Sequence, residues 1–166
     1  MRALILAADG FEDSELLYPY YRLLEEGVET IIAGPKPGTI TGKHGYEVEA
    51  DMGFEEVDPG GYDLLILPGG KAPETVRLSE TAIRAAKSMV VSGKVVAAIC
   101  HGVQTLISAN AVREKNATCW KGVRDDLIMA GAQYQDAEVV VDDNLITSRC
   151  PQDLPAFCRE IFKALK

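Results

Sequence analysis

The stretch KVVAAICHGVQTLISA places a cysteine where an apolar run stops and a helical pattern starts. A buried strand that reverses sharply into a helix projects the residue at its bend, an arrangement that serves nucleophiles in α/β hydrolases. Cys100 occupies that bend. The free N–H groups and partial positive charge of a helix N-terminus favour thiolate and bring a cysteine from about 8.5 towards roughly 3.5 to 7.5. The competing assignment is a buried structural thiol, common among free cysteines, and the adjoining His101-Gly102 favours chemistry. His101 is the candidate base or acid. Sequence neighbours on a tight bend usually point apart, so proton exchange with Cys100 requires unusual geometry and benefits from an orienting carboxylate. The only other histidine, His44, falls in a presumed hairpin and reads as a surface turn residue.

Two further loops carry usable groups. In open parallel sheets ligands sit beyond the carboxyl ends of the strands, which selects ADGFED and LPGGKAPE beside AICHG. Glu12 follows the first strand and can reach a thiol on a neighbouring strand end, where burial would raise its pKa and let it shuttle a proton. Complementing the helix dipole is its alternative role, and the only one expected of Asp13 and Glu15. Gly69 and Gly70 admit close approach of a ligand to the backbone, and the N–H groups of Gly70 and His101 together form a candidate oxyanion site. A plain glycine turn is the simpler reading. Glu74 lies in an exposed polar loop, and the residues alone give it no task.

These loops need a scaffold. Apolar runs at residues 2 to 8, 63 to 67 and 94 to 100 suit strands buried on both faces, with another strand at ETIIAG. Amphipathic stretches at 13 to 26, 79 to 92 and 102 to 111 separate them, the first two closed by Gly27 and Gly93. Such alternation predicts an α/β fold, a mostly parallel sheet with helices on both faces. TITGKHGYEVEA reads as a hairpin on the sheet's edge. ATCW reads as a later strand, followed by a helix from about Arg124 to Ala130, paired strands around EVVV and LITS, and a helix opening at Pro151.

The 166 residues fit one domain, spanning 1 to 166. Apolar residues form 47% and charged residues 25%, enough for a real core. The formal charge of -8 and the lack of a basic stripe exclude nucleic acid as a partner. MRALILAADGFED reads as a strand and not a signal peptide, and no apolar stretch reaches about 18 residues, so the expectation is a cytoplasmic protein with no membrane partner. The four cysteines show no CxxC spacing, which predicts neither disulfide nor metal site.

FEDSELLYPYYRL, GTITGKHGY, LPGGKAPE, AICHG, DAEVVVD and the Arg149-Cys-Pro-x-Asp-Leu segment, occurring in this order, resemble the PfpI intracellular protease family over essentially the whole chain. That family shares a superfamily with the parkinsonism-associated DJ protein and, more distantly, with class I glutamine amidotransferases. The resemblance implies a flavodoxin-like three-layer sandwich and no cofactor. It also implies Cys100 as nucleophile, Glu12 hydrogen-bonded to its sulfur, Gly70 and His101 as the oxyanion site, and Glu74 from a neighbouring subunit orienting His101. The active site would then be completed in a homo-oligomer, a dimer or hexamer. Two positions depart from the family pattern. Val103 stands where Pro is frequent and restores an N–H. Trp120 replaces a Tyr, lines the substrate pocket beside Gly69, and offers an N–H donor and a bulkier wall. Altered substrate preference is expected.

Three functions follow. The first is hydrolysis of peptides or related amides, with Cys100 attacking the carbonyl and His101 protonating the leaving amine. The second is glyoxalase or deglycase chemistry on 2-oxoaldehydes such as methylglyoxal or their protein adducts, with Glu12 moving the proton between adjacent carbons. A redox sensor or chaperone using Cys100 oxidation is the third.

Overall fold

The computed structural model describes residues 1–166. Its elements run β1 (Arg2–Leu6), α1 (Asp13–Glu25), β2 (Glu29–Gly34), β3 (Gly38–Thr41), β4 (Glu47–Ala50), β5 (Met52–Gly53), β6 (Leu64–Leu67), α2 (Ala72–Val76), α3 (Glu80–Val91) and β7 (Val95–Ile99). They continue with α4 (Val103–Ser108), β8 (Asn116–Ala117), α5 (Arg124–Met129), β9 (Gln133–Tyr134), β10 (Val140–Asp142), β11 (Leu145–Ser148) and α6 (Leu154–Ala164). Seven strands form one sheet in the order β10-β11-β7-β6-β1-β2-β5. Every neighbouring pair is parallel except β10 with β11.

The chain steps from β1 to β2 in one direction and from β6 to β7 in the other. Because crossovers between parallel strands are right-handed, that reversal sends α1 and α3 to opposite faces. The result is the flavodoxin-like arrangement, with α1 packed beside α6 and α3 beside α4. Strands covered on both faces carry no polar alternation, and LLIL in β6 and VVAAI in β7 are buried at every position. Each Leu, Ile or Val removed from water there contributes about 1.5 to 3 kcal/mol before chain entropy is set against it. This core is what fixes the strand ends that carry the chemistry.

Two expectations change. β3 and β4 form their own two-stranded sheet and do not extend the main one; the edge belongs to β5. Of ATCW only Ala117 is in a strand, paired with Tyr134, because the following residues turn so that the Trp120 N–H meets the Cys100 carbonyl at 3.3 Å. No helix is long and apolar enough to cross a membrane.

Candidate active site

Strand β7 ends at Ile99, and a 3-10 turn over Cys100–Gly102 leads into α4. Cys100 has φ 60, a left-handed backbone that costs a non-glycine residue about 1 to 2 kcal/mol. The turn keeps this conformation because Gly102 lies on the Leu67 carbonyl so closely that a Cβ would collide with it. The strained bend aims the sulfur into a cavity of about 470 Å³, whose wall also includes Glu12, Lys43, Gly70, Glu74, His101, Trp120 and Cys150.

The bend also overcomes the usual divergence of adjacent side chains. Cys100 Sγ and His101 Nδ1 are 3.2 Å apart. In the tautomer protonated at Nε2, Nδ1 accepts the sulfhydryl proton. Burial, with the Lys43 cation, holds His101 below its ordinary pKa, so the ring is neutral and able to accept at neutral pH.

The carboxyl group against the sulfur is Glu15, not Glu12. Glu15 is fully buried, and neither of its oxygens has a hydrogen bond of complete geometry. The polar groups facing it are the Gly69 N–H and the Cys100 sulfhydryl. A Cβ placed on Gly69 would stand 2.7 Å from Glu15 Oε1, 2.9 Å from the His101 nitrogen and 3.0 Å from Cys100 Cβ, so only glycine lets these groups converge. Desolvation, with the Glu12 charge, pushes Glu15 up to about 8.

Glu12 occupies the N-cap of α1 with extended backbone, φ -70 and ψ 114, which turns its side chain off the buried helix stripe. It pairs with Lys43 Nζ at 2.7 Å and His44 Nε2 at 3.4 Å. Asp13 sets this up: its carboxylate accepts the His44 N–H at 2.9 Å and the Tyr46 N–H at 3.0 Å, docking the hairpin tip over the site. His44 is exposed beside Glu12, and Lys43 lines the cavity, a placement that residue type and spacing do not announce. Glu12, Asp13 and His44 lie close enough to share a cation. Both Asp13 oxygens are already taken by backbone N–H groups and Glu12 is neutralised by Lys43, so the donor set fits an internal clamp better than a metal.

Burial, then the Glu15 charge, pushes the Cys100 pKa above the ordinary thiol range, against the opposing pull of the His101 N–H and the Lys43 cation. A three-residue 3-10 turn followed by the six-residue α4 supplies too short a dipole to offset that desolvation. Burial therefore favours the uncharged forms of both Cys100 and Glu15, with His101 Nδ1 placed to accept the sulfhydryl proton.

Gly70 takes φ 76, and its loop is stapled to the β1 loop by Glu12 N–H to Gly69 O at 3.1 Å and Lys71 N–H to Gly10 O at 2.8 Å. Gly70 and His101 thus border the same cavity. Glu74, in α2, lies on the rim of its own chain's cavity, and its charge acts on His101 without a hydrogen bond to it. Trp120 forms one wall, 36% exposed. The Cys150–Gln152 lip is held by Arg149, whose guanidinium bonds Asp153 through Nε at 2.9 Å and Nη2 at 3.1 Å and Asp136 through Nη1 at 2.9 Å.

A family model described as the DJ-1/PfpI family matches residues 1–164. A deglycase of Pyrococcus abyssi is 57% identical over 166 residues, covering 100% of each chain. Deglycase PfpI of Pyrococcus furiosus is 54% identical with the same coverage. Protein/nucleic acid deglycase 2 of Escherichia coli is 43% identical over 164 residues, 97% of this chain and 95% of that one. Among solved structures, a two-domain protein of Anabaena variabilis with DJ-1/ThiJ/PfpI-like and ferritin-like domains superposes with TM-score 0.98 at 36% identity, covering 99% of this chain and 50% of that one.

Proposed function

Since the chain belongs to the DJ-1/PfpI family, we propose that it is a cysteine-dependent deglycase, removing 2-oxoaldehyde adducts of the methylglyoxal type from amines and thiols. Relatives sharing more than half their residues over full length carry that name. This puts the second of the three sequence readings ahead of peptide hydrolysis, which is supported only through the family.

The observation that carries the proposal is Glu15. Peptide hydrolysis needs a nucleophile, a base and an oxyanion site, and has no task for a buried, unpaired carboxyl group pushed up to about 8 against the sulfur. Isomerising a 2-oxoaldehyde needs one, because a proton must leave one carbon and return to its neighbour. In this scheme Cys100 Sγ bonds to the aldehyde-level carbon, its proton passing to His101 Nδ1. For an adduct the amine departs from that carbon and takes the proton. Glu15 then removes the hydrogen from the sulfur-bearing carbon and delivers one to the adjacent carbon, leaving a thioester of a 2-hydroxy acid. Water cleaves the thioester and returns the Cys100 thiol. Gly70 and His101 N–H groups stabilise the oxyanions, Trp120 bounds the adduct, and Glu74 of a neighbouring subunit orients His101.

The test compares methylglyoxal-modified N-acetylarginine with chromogenic peptide amides. Lactate and free N-acetylarginine are expected from the adduct, no lactate with Cys100→Ser, and peptide cleavage slower by several orders of magnitude. Rapid amide cleavage without lactate would reject the proposal.

A further inference from the structure

Cys150 lines the reaction cavity together with Cys100 and has no part in the scheme above. The β7–β11 pairing brings Ile99 opposite Ser148, so Cys100 lies one residue and Cys150 two residues past the paired ends. Paired strands lie about 4.8 Å apart, so both cysteines leave adjacent strand ends and open onto the same cavity. Both thiols are free, and Cys150 is partly exposed. Arg149 and Asp153, flanking it, are tied together by three hydrogen bonds, so the Cys150 segment is held at the cavity lip.

We infer that Cys150 is a resolving thiol, which captures an oxidised Cys100 as an intramolecular disulfide and makes the chain consume one hydroperoxide per reduced pair. Cys100 sulfur, giving its proton to His101 Nδ1, attacks the near oxygen of the peroxide. An S–O bond forms, the O–O bond breaks, and the far oxygen leaves as water or alcohol with that proton. Cys150 sulfur then attacks the Cys100 sulfenic acid: the S–S bond forms, the S–O bond breaks, and hydroxide departs as water with the Cys150 proton. The two thiols supply the two electrons that reduce the peroxide. The bridge caps the nucleophile, and a dithiol reductant restores it. Cys119 adjoins Cys150 in a separate cavity beyond Trp120 but is fully buried and absent from the reaction cavity, so it is not the partner.

This inference needs Cys100 to be an accessible nucleophile but does not depend on deglycation, and its readout is chemical mass. The fully reduced chain is treated with one equivalent of hydrogen peroxide, digested without reductant and mapped by mass spectrometry. The expected product has lost two hydrogens, joins the Cys100 and Cys150 peptides, and regains thiols and activity with dithiothreitol. Cys119→Ser gives the same product, whereas Cys150→Ser accumulates dimedone-reactive sulfenic acid and then irreversible sulfinic acid at Cys100. A wild-type chain that proceeds to sulfinic acid with no linked peptide, or that links Cys119 to Cys150, overturns the inference.

Discussion

At the scale of single residues, the carboxyl group facing the Cys100 sulfhydryl is Glu15, three positions along the chain from the Glu12 that the sequence suggests. The inward stripe of α1 runs Leu16, Pro19 and Leu23, and extended back one turn it meets both Glu12 and Glu15. Only the N-cap backbone of Glu12, invisible in the sequence, diverts its side chain to Lys43. The consequence is measurable through pH. Glu15 must ionise to act as a base, so kcat/KM for deglycation is expected to rise with pH and level off above about 8, a limb absent in Glu15→Gln. The same group penalises folding. An unfolded glutamate loses its proton near 4.5 and the folded one near 8, so the native state holds the extra proton between these values and stability from this group falls as pH rises across them. Denaturation at pH 9 should find Glu15→Gln more stable than wild type on the order of a few kcal/mol, the gap closing below pH 4.5.

At the scale of elements, helices punctuated by Gly27 and Gly93 and the continuous apolar strands were legible, because their patterns are local. The docking of the hairpin tip was not. It rests on Asp13 reaching the backbone of residues more than thirty positions away, which no periodicity encodes. Asp13→Ala strands those two N–H groups and releases Lys43 from its place beside Glu12. The expected cost is about 1 to 3 kcal/mol of stability, read by chemical denaturation, with a higher KM. The elbow is stricter. Gly102→Ala sets a Cβ on the Leu67 carbonyl, so the turn must open and Cys100 leave its φ 60 bend. Loss of activity should then exceed the loss in melting temperature that the substitution brings.

At the scale of the whole molecule, the ordered motifs made the family and the fold readable, since blocks spread from residue 11 to residue 154 constrain every strand end at once. Subunit contacts leave no such mark in one chain. Leu78, 81% exposed, lies just past the helix that carries Glu74. If Glu74 acts across a subunit contact, mixing Cys100→Ser with Glu74→Ala chains regenerates activity, because one mixed site then holds both an intact Cys100 and an intact Glu74. Activity that stays at the level of the separate variants would assign Glu74 to its own chain. The proposed proton shuttle, Glu15 acting on a Cys100-bound substrate, is tested by kcat for lactate release from a methylglyoxal adduct by Glu15→Gln and Glu12→Gln, both verified as folded. A fall of at least about 1,000-fold is expected for Glu15→Gln, in the range of acid–base contributions, and less than about 10-fold for Glu12→Gln. The reverse ranking would assign the shuttle to Glu12.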